Sequence, residues 1–270
     1  MDPRISVIIP CYRCADTIGR ALSSVSQQTR SVNEVILVED CSDDGGATLA
    51  ELHTLQDLHK ALAIQILALE KNVGPGAARN AGWALATGDY LAFLDADDSW
   101  HPAKIEIQTN WMQAHPDAVL CSGLSVHLLS GDRPQALTRT PIARRVSGFN
   151  LLLRNCFPTR TVMLRRDIAF RFDPVKRSAE DYLLWLTIVL SGMPAYAMDL
   201  PLAYSYKAEY GAGGLTANLW KMEKGVMDTY RRICRDGYVS SLTSYALIAF
   251  SFLKFVRRWL RSTLSRVTRT

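Results

Sequence analysis

Cysteine is sparse in this 270-residue sequence, and its copies are scattered rather than grouped. The six cysteines stand at positions 11, 14, 41, 121, 156 and 234. A chain of this length can bury a substantial core without disulfides, so this pattern favours a reduced, cytoplasmic compartment. Cys11 and Cys14 have the spacing of a redox motif, but no second cysteine pair completes a zinc site. A redox or metal role for this pair is therefore disfavoured.

A net positive charge is missing from most of the chain. The net charge is +5, yet six lysines and arginines lie after residue 253, where no acid occurs, so the first 253 residues carry a net charge of about −1. Nucleic-acid binding requires a basic field on the folded body. We therefore expect no nucleic-acid partner, and the basic run 254–269 needs a different explanation.

Apolar runs long enough to cross a bilayer are also lacking. The apolar stretch 242–253 has about a dozen residues, whereas a spanning helix needs ~20. Two alternatives remain for this segment. It either lies in an anionic membrane interface, with Trp259 and the arginines at headgroup depth, or packs on the domain with a frayed basic end. Because Met1-Asp-Pro-Arg4 leads straight into a predicted strand, no signal peptide is expected, and the predicted location is cytoplasmic, with peripheral contact at the inner face of the plasma membrane.

Short apolar runs alternate with helical patterns over the first hundred residues. Strands are predicted at 5–9, 34–38, 64–69 and 90–94, and helices at 17–28, at 47–60 and up to about residue 86. Right-handed crossovers between such units make a mainly parallel sheet covered by helices on both sides. The alternation therefore predicts an α/β fold.

The remaining sequence is less regular. We predict a helix at 101–115, strands within 118–129 and 160–164, a loop at 130–145, a helix at 179–190 and an amphipathic helix at 215–235. Ser178 is the predicted N-cap of the 179–190 helix, with Asp181 completing an acidic capping box. After Pro201 the pattern loosens. The predicted division is a domain at 1–212 and a helical region at 213–270.

Polar side chains follow three of the predicted strands. They are Tyr12 after the first strand, Glu39 and Asp40 after the second, and Asp95, Asp97 and Asp98 after the fourth. Ligands bind at the carboxyl ends of strands in open α/β sheets. Three neighbouring acids need water, basic partners or a hard cation such as Mg²⁺ or Mn²⁺. The alternatives are a metal-assisted site for a phosphorylated ligand and a solvated acidic turn.

Familiar nucleotide-binding loops are absent. Gly74-Pro-Gly76 lacks the third glycine of a dinucleotide fingerprint, and no phosphate loop of the Gly-Lys-Ser type occurs. No histidine follows His127, so none can act as a late metal ligand.

Several segments nevertheless resemble those of family-2 inverting glycosyltransferases with the GT-A fold. The segments are Ser6-Val-Ile-Ile-Pro-Cys-Tyr-Arg13, Glu34-Val-Ile-Leu-Val-Glu-Asp-Cys-Ser-Asp-Asp-Gly45, Asn72-Val-Gly-Pro-Gly-Ala-Ala-Arg-Asn-Ala-Gly82, Asp95-Ala-Asp-Asp98 and Ala179-Glu-Asp-Tyr-Leu-Leu-Trp185. The resemblance covers about residues 4–205. Arg13 departs from the family pattern, which has a small polar residue there, and Glu39 stands where aspartate is commoner.

The resemblance implies a donor site. Pro10 and Tyr12 would line the nucleobase pocket, and Asp40, beside Glu39, would accept a hydrogen bond from the base; the alternative for Asp40 is a turn-capping acid. Lys71 and Arg79 would neutralise the diphosphate or orient the aspartates; the alternative for Arg79 is a surface residue. Asp95 would hydrogen-bond the ribose or contact the metal indirectly.

The resemblance also implies the chemistry. Asp97 would bind a divalent metal, Mg²⁺ or Mn²⁺, that bridges the donor phosphates, and Asp98 would support either aspartate. Asp181 would be the general base that deprotonates the acceptor hydroxyl, with Glu180 as its partner. The capping box remains the alternative for Asp181.

The implied activity is inverting transfer of a sugar from a nucleotide-sugar, such as a UDP-sugar, to the hydroxyl of a saccharide or lipid-linked saccharide. The implied setting is synthesis of a bacterial surface polysaccharide or lipopolysaccharide. A nucleotidyltransferase and a non-catalytic nucleotide-sugar-binding relative are the alternatives. The glycine-rich stretch 206–216 is a candidate lid, and Trp185 and Trp220 are either sugar-stacking or core residues.

Overall fold

A computed structural model describes residues 2–128, 137, 139–206 and 219–267, with side chains up to residue 259. Within these residues one sheet contains β1 (Ile5–Cys11), β2 (Glu34–Glu39), β3 (Ile64–Ala68), β4 (Tyr90–Phe93), β5 (Asp98–Trp100), β6 (Leu120–His127), β7 (Ala143–Arg145), β8 (Met163–Arg165) and β9 (Ala195–Ser205). The helices are α1 (Ala15–Ser26), α2 (Ala47–Leu58), α3 (Pro75–Leu85), α4 (Lys104–Ala114), α5 (Gly148–Leu153), α6 (Glu180–Leu190), α7 (Leu219–Arg235) and α8 (Ser241–Val267). A 3-10 turn, Thr159–Thr161, precedes β8.

The predicted alternation of strands and helices is confirmed in the first half. β1 pairs in parallel with β2 and with β4, and β2 pairs in parallel with β3. The apolar side chains of β1 and β2 are buried on both faces of the sheet, which explains why their sequences are continuous apolar runs. Parallel pairing brings the carboxyl ends of β1, β2 and β4 to the same edge.

Three strands, β5, β7 and β9, have no counterpart in the sequence prediction. β7 pairs antiparallel with β9, so the predicted loop at 130–145 is wrong for residues 143–145. β9 continues through Pro201 to Ser205, so the expected loosening after Pro201 is wrong. The register between β6 and β9 shifts at Leu124, opposite Pro201, and a residue without an N–H is tolerated at such an irregularity. β5 is only three residues long and forms because Asp98 to Trp100 pair antiparallel with β9.

Each face of the sheet contributes to a separate core. In β1, Val7 and Ile9 belong to the core that includes residues of α1 and α2, and Ile8 belongs to the core that includes residues of α3 and α6. The second core contains the rings of Trp83, Phe93, Phe172 and Trp185, with contacting centroids between 5.4 and 6.5 Å apart. Trp185 is fully buried, which confirms the core interpretation, whereas Trp220 is 44% exposed.

The C-terminal helices pack on the segment that leads into α6. Lys176 Nζ donates to the Gly225 carbonyl of α7 at 2.8 Å. Glu223 of α7 is fully buried and accepts hydrogen bonds from Ser251 Oγ at 2.6 Å and Arg258 Nη2 at 3.1 Å, both on α8. One face of α8 is therefore anchored to the protein, as the packed alternative for this segment expects.

None of the helices in the described ranges is long and apolar enough to cross a membrane. The predicted domain boundary at residue 212 falls within 207–218, outside the described residues, so this boundary stays a prediction.

Candidate active site

Three non-glycine residues adopt left-handed backbone conformations beside predicted site residues. They are Arg13 with φ 48°, Cys41 with φ 51° and Ala179 with φ 54°. These residues follow Tyr12, follow Asp40 and precede Glu180, respectively. Such conformations are uncommon for residues with a Cβ and persist only where the surroundings hold them. Strained backbone therefore accompanies three of the segments on which the family resemblance rests.

Asp40 ties the end of β2 to the loop before α3. Its Oδ1 accepts from the Val73 N–H at 2.7 Å, and its Oδ2 accepts from the Gly74 N–H at 2.8 Å and from Asn72 Nδ2 at 3.1 Å. Burial raises the pKa of Asp40 and outweighs the opposing effect of the two backbone donors. Because both oxygens already accept bonds from the chain, any further N–H donor would have to share one of them.

Glu39 and Pro10 lie at the same edge. Glu39 is buried, and its carboxylate accepts from the Ser42 N–H at 2.7 Å and the Cys41 N–H at 3.2 Å, so it stabilises the turn after β2. Pro10 is partly buried in β1, opposite Val38 of β2. Both residues are therefore packed into the carboxyl edge of the sheet and do not project into solvent.

Tyr12 is 44% exposed and is held by an acid that the sequence analysis does not single out. Its hydroxyl donates to Asp43 Oδ1 at 2.7 Å, and the guanidinium of Arg13 pairs with the same carboxylate. The hydrogen bonds from Arg13 and Tyr12 hold the pKa of Asp43 well below its usual range. Arg13, where the sequence departs from the family pattern, thus belongs to the pair that fixes the exposed ring.

Arg79 links the two acid centres. This guanidinium is 5% exposed; Nη2 lies 2.6 Å from Asp95 Oδ1, and Nη1 lies 3.1 Å from Glu180 Oε1. Burial disfavours the charged guanidinium, but the two carboxylates outweigh burial and the pKa of Arg79 is raised. Of the two predicted roles for Arg79, the geometry supports orientation of the carboxylates.

Close packing allows Glu180 to reach Arg79. A Cβ on Gly76 of α3 would lie 2.8 Å from Glu180 Cγ, so a larger residue there would displace the acid. Burial raises the pKa of Glu180, the charge of Asp181 raises it further, and Arg79 opposes both effects. Glu180 is thus a buried carboxylate whose ionised form depends on Arg79.

The N-terminus of α6 differs from the sequence prediction. Its N-cap is Ala179 in the left-handed region, with no side-chain capping bond, so the predicted Ser178 N-cap and capping box are wrong. The left-handed turn directs Ser178 toward α7, where its hydroxyl donates to the Lys221 carbonyl at 3.5 Å. Asp181 accepts instead from Thr159 Oγ1, at 2.9 Å from Oδ2, and from the Tyr182 N–H, at 2.7 Å from Oδ1.

A second arginine, Arg160, neutralises the acids after β4. Its Nε lies 3.0 Å from Asp98 Oδ2 and 3.9 Å from Asp95 Oδ2, and its Nη1 donates to Asp98 Oδ1 at 3.2 Å. Asp98 is buried at the start of β5. Two of the three acids, Asp95 and Asp98, are therefore compensated by basic side chains. Arg160 lies in a segment predicted only as a strand, and no local signal distinguishes it.

Asp97 is the remaining candidate metal ligand. Its backbone carbonyl accepts from Arg20 Nη2 at 2.8 Å, and its side chain is partly exposed. Among the described residues, no group of three or more His, Cys, Asp or Glu side chains is placed to hold a metal ion. Mg²⁺ takes one or two carboxylates together with phosphate oxygens and water. The residues therefore fit a divalent ion only if the donor supplies further ligands.

The candidate lid begins at Tyr206 and otherwise lies outside the described residues. The Tyr206 hydroxyl is 2.8 Å from Ser99 Oγ, and its ring centroid is 3.9 Å from the guanidinium carbon of Arg20. The first residue of the candidate lid thus contacts β5 and α1.

Comparison with known proteins decides the family. The sequence profile described as Glycosyl transferase family 2 matches residues 6–176. The chain belongs to this family. The predicted membership is confirmed, and the nucleotidyltransferase alternative is set aside.

Individual relatives agree with this assignment. The succinoglycan biosynthesis protein ExoO of Rhizobium meliloti is 27% identical over 288 residues, covering 99% of this chain and 81% of that protein. The UDP-Glc:alpha-D-GlcNAc-diphosphoundecaprenol beta-1,3-glucosyltransferase WfaP of Escherichia coli is 30% identical over 220 residues, covering 80% of this chain and 81% of that protein. Relatives of this family-2 chain thus act in polysaccharide biosynthesis.

A solved structure confirms the predicted GT-A fold. The mannosyltransferase PcManGT from Pyrobaculum calidifontis, in complex with GDP-Man and Mn²⁺, superimposes with a TM-score of 0.68 and 20% identity. The match covers 96% of this chain and 72% of that one.

Proposed function

We propose that this family-2 enzyme transfers a sugar, with inversion, from a nucleoside-diphosphate sugar such as a UDP-sugar to an acceptor hydroxyl, in the synthesis of a bacterial surface polysaccharide or lipopolysaccharide. The observation that carries the proposal is the Arg79 bridge between Asp95 and Glu180. It joins the acids at the end of the fourth strand to the acid pair at the start of α6, so donor binding and catalysis share one edge of the sheet.

The donor occupies the carboxyl edge of β1, β2 and β4. Pro10, Tyr12, Glu39 and Asp40 form the nucleobase end, and Asp95 contacts the ribose. The exposed ring of Tyr12 offers a flat apolar face for stacking, and its bond to Asp43 keeps that ring in place.

The transfer step needs one base. Asp181 accepts the proton of the acceptor hydroxyl as that oxygen forms its bond to the anomeric carbon. The bond from the anomeric carbon to the donor phosphate breaks on the opposite face, and the nucleoside diphosphate leaves with the electron pair. Throughout this step, the contact between Glu180 and Arg79 holds the start of α6, which carries Asp181, next to Asp95 at the donor site.

Asp97, together with the donor phosphates, would hold a divalent cation, which would supply Lewis-acid stabilisation of the leaving diphosphate. PcManGT, which binds Mn²⁺ with its nucleotide-sugar, supports this assignment. Asp98 and Asp95 are engaged by arginines, so we expect the cation to bind with the donor and not before it.

A screen of nucleotide-sugars tests the donor and the metal together. A saturating cognate donor with Mn²⁺ should raise the melting temperature by roughly 5 °C, because 100-fold excess over Kd stabilises by about 2.7 kcal/mol. Chelation should abolish most of this shift, and donor hydrolysis should follow the same pattern. Mn²⁺ without donor is the control and should leave melting unchanged. A donor-induced shift that ignores Mn²⁺, Mg²⁺ and chelator would remove the metal role of Asp97.

A lipid-linked saccharide is the proposed acceptor. WfaP, whose name gives a diphosphoundecaprenol-linked substrate, supports this choice. Such an acceptor resides in a membrane, and α8 offers a surface that suits one. Leu242, Tyr245 and Leu253 are 81%, 72% and 67% exposed, and they lie on the same side of the helix at helical spacing. We therefore propose that α8 makes peripheral contact with the inner face of the plasma membrane.

The charge and the packing of α8 both suit an anionic interface. Ser244, Leu247 and Ser251 form the buried face, so the exposed apolar residues are not needed to hold the helix on the protein. Trp259 is 52% exposed beside the basic run that begins at Lys254. Apolar residues inserted at the acyl boundary, with lysines and arginines at the headgroups, are typical of interfacial helices.

The membrane surface is tested by charge substitution on the exposed face. The double variant Tyr245→Glu/Leu253→Glu should lower the partition coefficient onto vesicles containing phosphatidylglycerol at least tenfold, since each side chain contributes about 1.5–3 kcal/mol when buried. Leu58→Glu on α2 is the matched control, because Leu58 is 72% exposed and far from α8 in sequence. Co-sedimentation measures the difference. Equal binding of both proteins would contradict the membrane proposal.

A further inference from the structure

Thr159 lies in no segment on which the family resemblance rests, yet its side chain contacts the proposed base. It begins the 3-10 turn between α5 and β8 and is 6% exposed. Its Oγ1 donates to Asp181 Oδ2 at 2.9 Å across 22 residues of sequence. A buried hydroxyl needs a partner in any protein, so the bond alone does not establish a role.

The turn that carries Thr159 is rigidly attached to the sheet. Thr161 is fully buried, and its hydroxyl donates to the Gly123 carbonyl at 3.0 Å and lies 2.7 Å from Ser122 Oγ. Trp100 Nε1 donates to the Arg160 carbonyl at 2.7 Å. A donor on such a turn has a fixed position, which is what orientation of a catalytic group requires.

The same turn contacts both acid centres. Thr159 contacts Asp181, and Arg160, the next residue, contacts Asp98. The turn therefore sets the position of the proposed base relative to the acidic turn at the donor site, independently of the Arg79 bridge.

We infer that Thr159 is a positioning residue that fixes the Asp181 carboxylate for proton abstraction. The inference rests on the proposed function. The Tyr182 N–H binds Oδ1 and the Thr159 hydroxyl binds Oδ2, so the two donors together fix the carboxylate plane. A hydroxyl donor also stabilises the ionised form of a carboxylate, the form that a base needs. The charged groups whose interactions also reach Asp181 are Glu180 of α6 and Arg79 of α3.

Three variants test the inference. Thr159→Val keeps the side-chain shape and removes the donor, Thr159→Ser keeps the donor, and Thr187→Val is the control. Thr187 lies on α6 as Asp181 does, but its hydroxyl donates to the Leu183 carbonyl. The readouts are the melting temperature and the separate values of kcat and KM for donor turnover.

Thr159→Val should lower kcat at least tenfold, because misplacing a reacting group by about 1 Å can cost as much as 100-fold. The donor KM should stay within about twofold, since binding is not the step affected. Thr159→Ser should recover most of kcat, because it keeps the hydroxyl donor, and Thr187→Val should match the wild type.

An unchanged kcat in a folded Thr159→Val protein would overturn the inference. So would a Thr159→Ser protein as impaired as Thr159→Val. If the valine variant does not fold, Thr159→Ala is measured against the same criteria. A wild-type protein that turns over no nucleotide-sugar would overturn the proposed function and this inference together, whereas an active wild type with an indifferent Thr159 would overturn the inference alone.

Discussion

Asp181→Asn should lower the rate of sugar transfer by about 10²–10⁴-fold, the range that a general base contributes. The amide keeps the shape of the carboxylate and can still accept the bond from Thr159, so the fold and the donor site should persist. Donor binding, measured by thermal shift or calorimetry, should therefore change by less than about threefold while turnover is lost, the signature of an interaction that acts on the chemical step.

Asp167→Asn is the matched control for this result. Asp167 is an exposed acid whose ion pair with Arg165 lies on β8 and its following turn, outside the proposed site. Its replacement should leave turnover within about twofold, as expected for an exposed pair that contributes little. If Asp181→Asn retains near-normal transfer and still binds donor, Asp181 is not the base. Glu180 and Asp181 would then have a non-catalytic role.

Arg79→Met should give the largest loss of stability among single changes at this site. The substitution leaves the carboxylates of Asp95 and Glu180 without the cation between them, and Glu180 is almost fully buried. Removing one partner of a buried pair costs about 3–5 kcal/mol. For a chain of this size we expect a fall in melting temperature of roughly 10 °C. Turnover should also be lost, because the bridge between the donor and base segments is broken.

Two comparisons separate the buried bridge from a general effect of losing an arginine. Arg165→Met removes the exposed pair with Asp167 and should cost less than about 1 kcal/mol. Adding Glu180→Gln to Arg79→Met should restore part of the stability, because one uncompensated charge disappears, and a double-mutant cycle measures the coupling. If Arg79→Met melts within about 2 °C of the wild type, the bridge does not hold the two acid centres together.

The first half of the fold could be predicted from the sequence because its signals are local. The apolar runs of β1 and β2 and the helical spacing of α1 depend on neighbouring residues alone. β5 and β9 could not be predicted, since β5 exists only through its pairing with β9 and β9 runs through a proline that the irregular register with β6 accommodates. Ser178 was predicted as an N-cap from its residue type, but the left-handed Ala179 displaces it.

The candidate site also contains residues that the sequence predicts and residues that it does not. Asp40, Arg79, Asp95, Glu180 and Asp181 lie in segments with a recognisable pattern, so the residues could be proposed from sequence. Their partners could not be proposed. Arg160 contacts Asp98, 62 residues away in sequence, and Arg79 contacts Glu180, 101 residues away. No local sequence pattern predicts contacts between residues so far apart in the chain. The structure thus adds the arginines and the threonine that hold the acids, rather than the acids themselves.

The anomeric configuration of the sugar first released from the donor tests the central claim most directly. With an α-linked nucleotide-sugar that the protein hydrolyses, proton NMR can record the product before mutarotation and needs no knowledge of the natural acceptor. Inversion with Asp181 as the base predicts that the β-anomer forms first and that Asp181→Asn abolishes its formation. Initial release of the α-anomer would contradict the account.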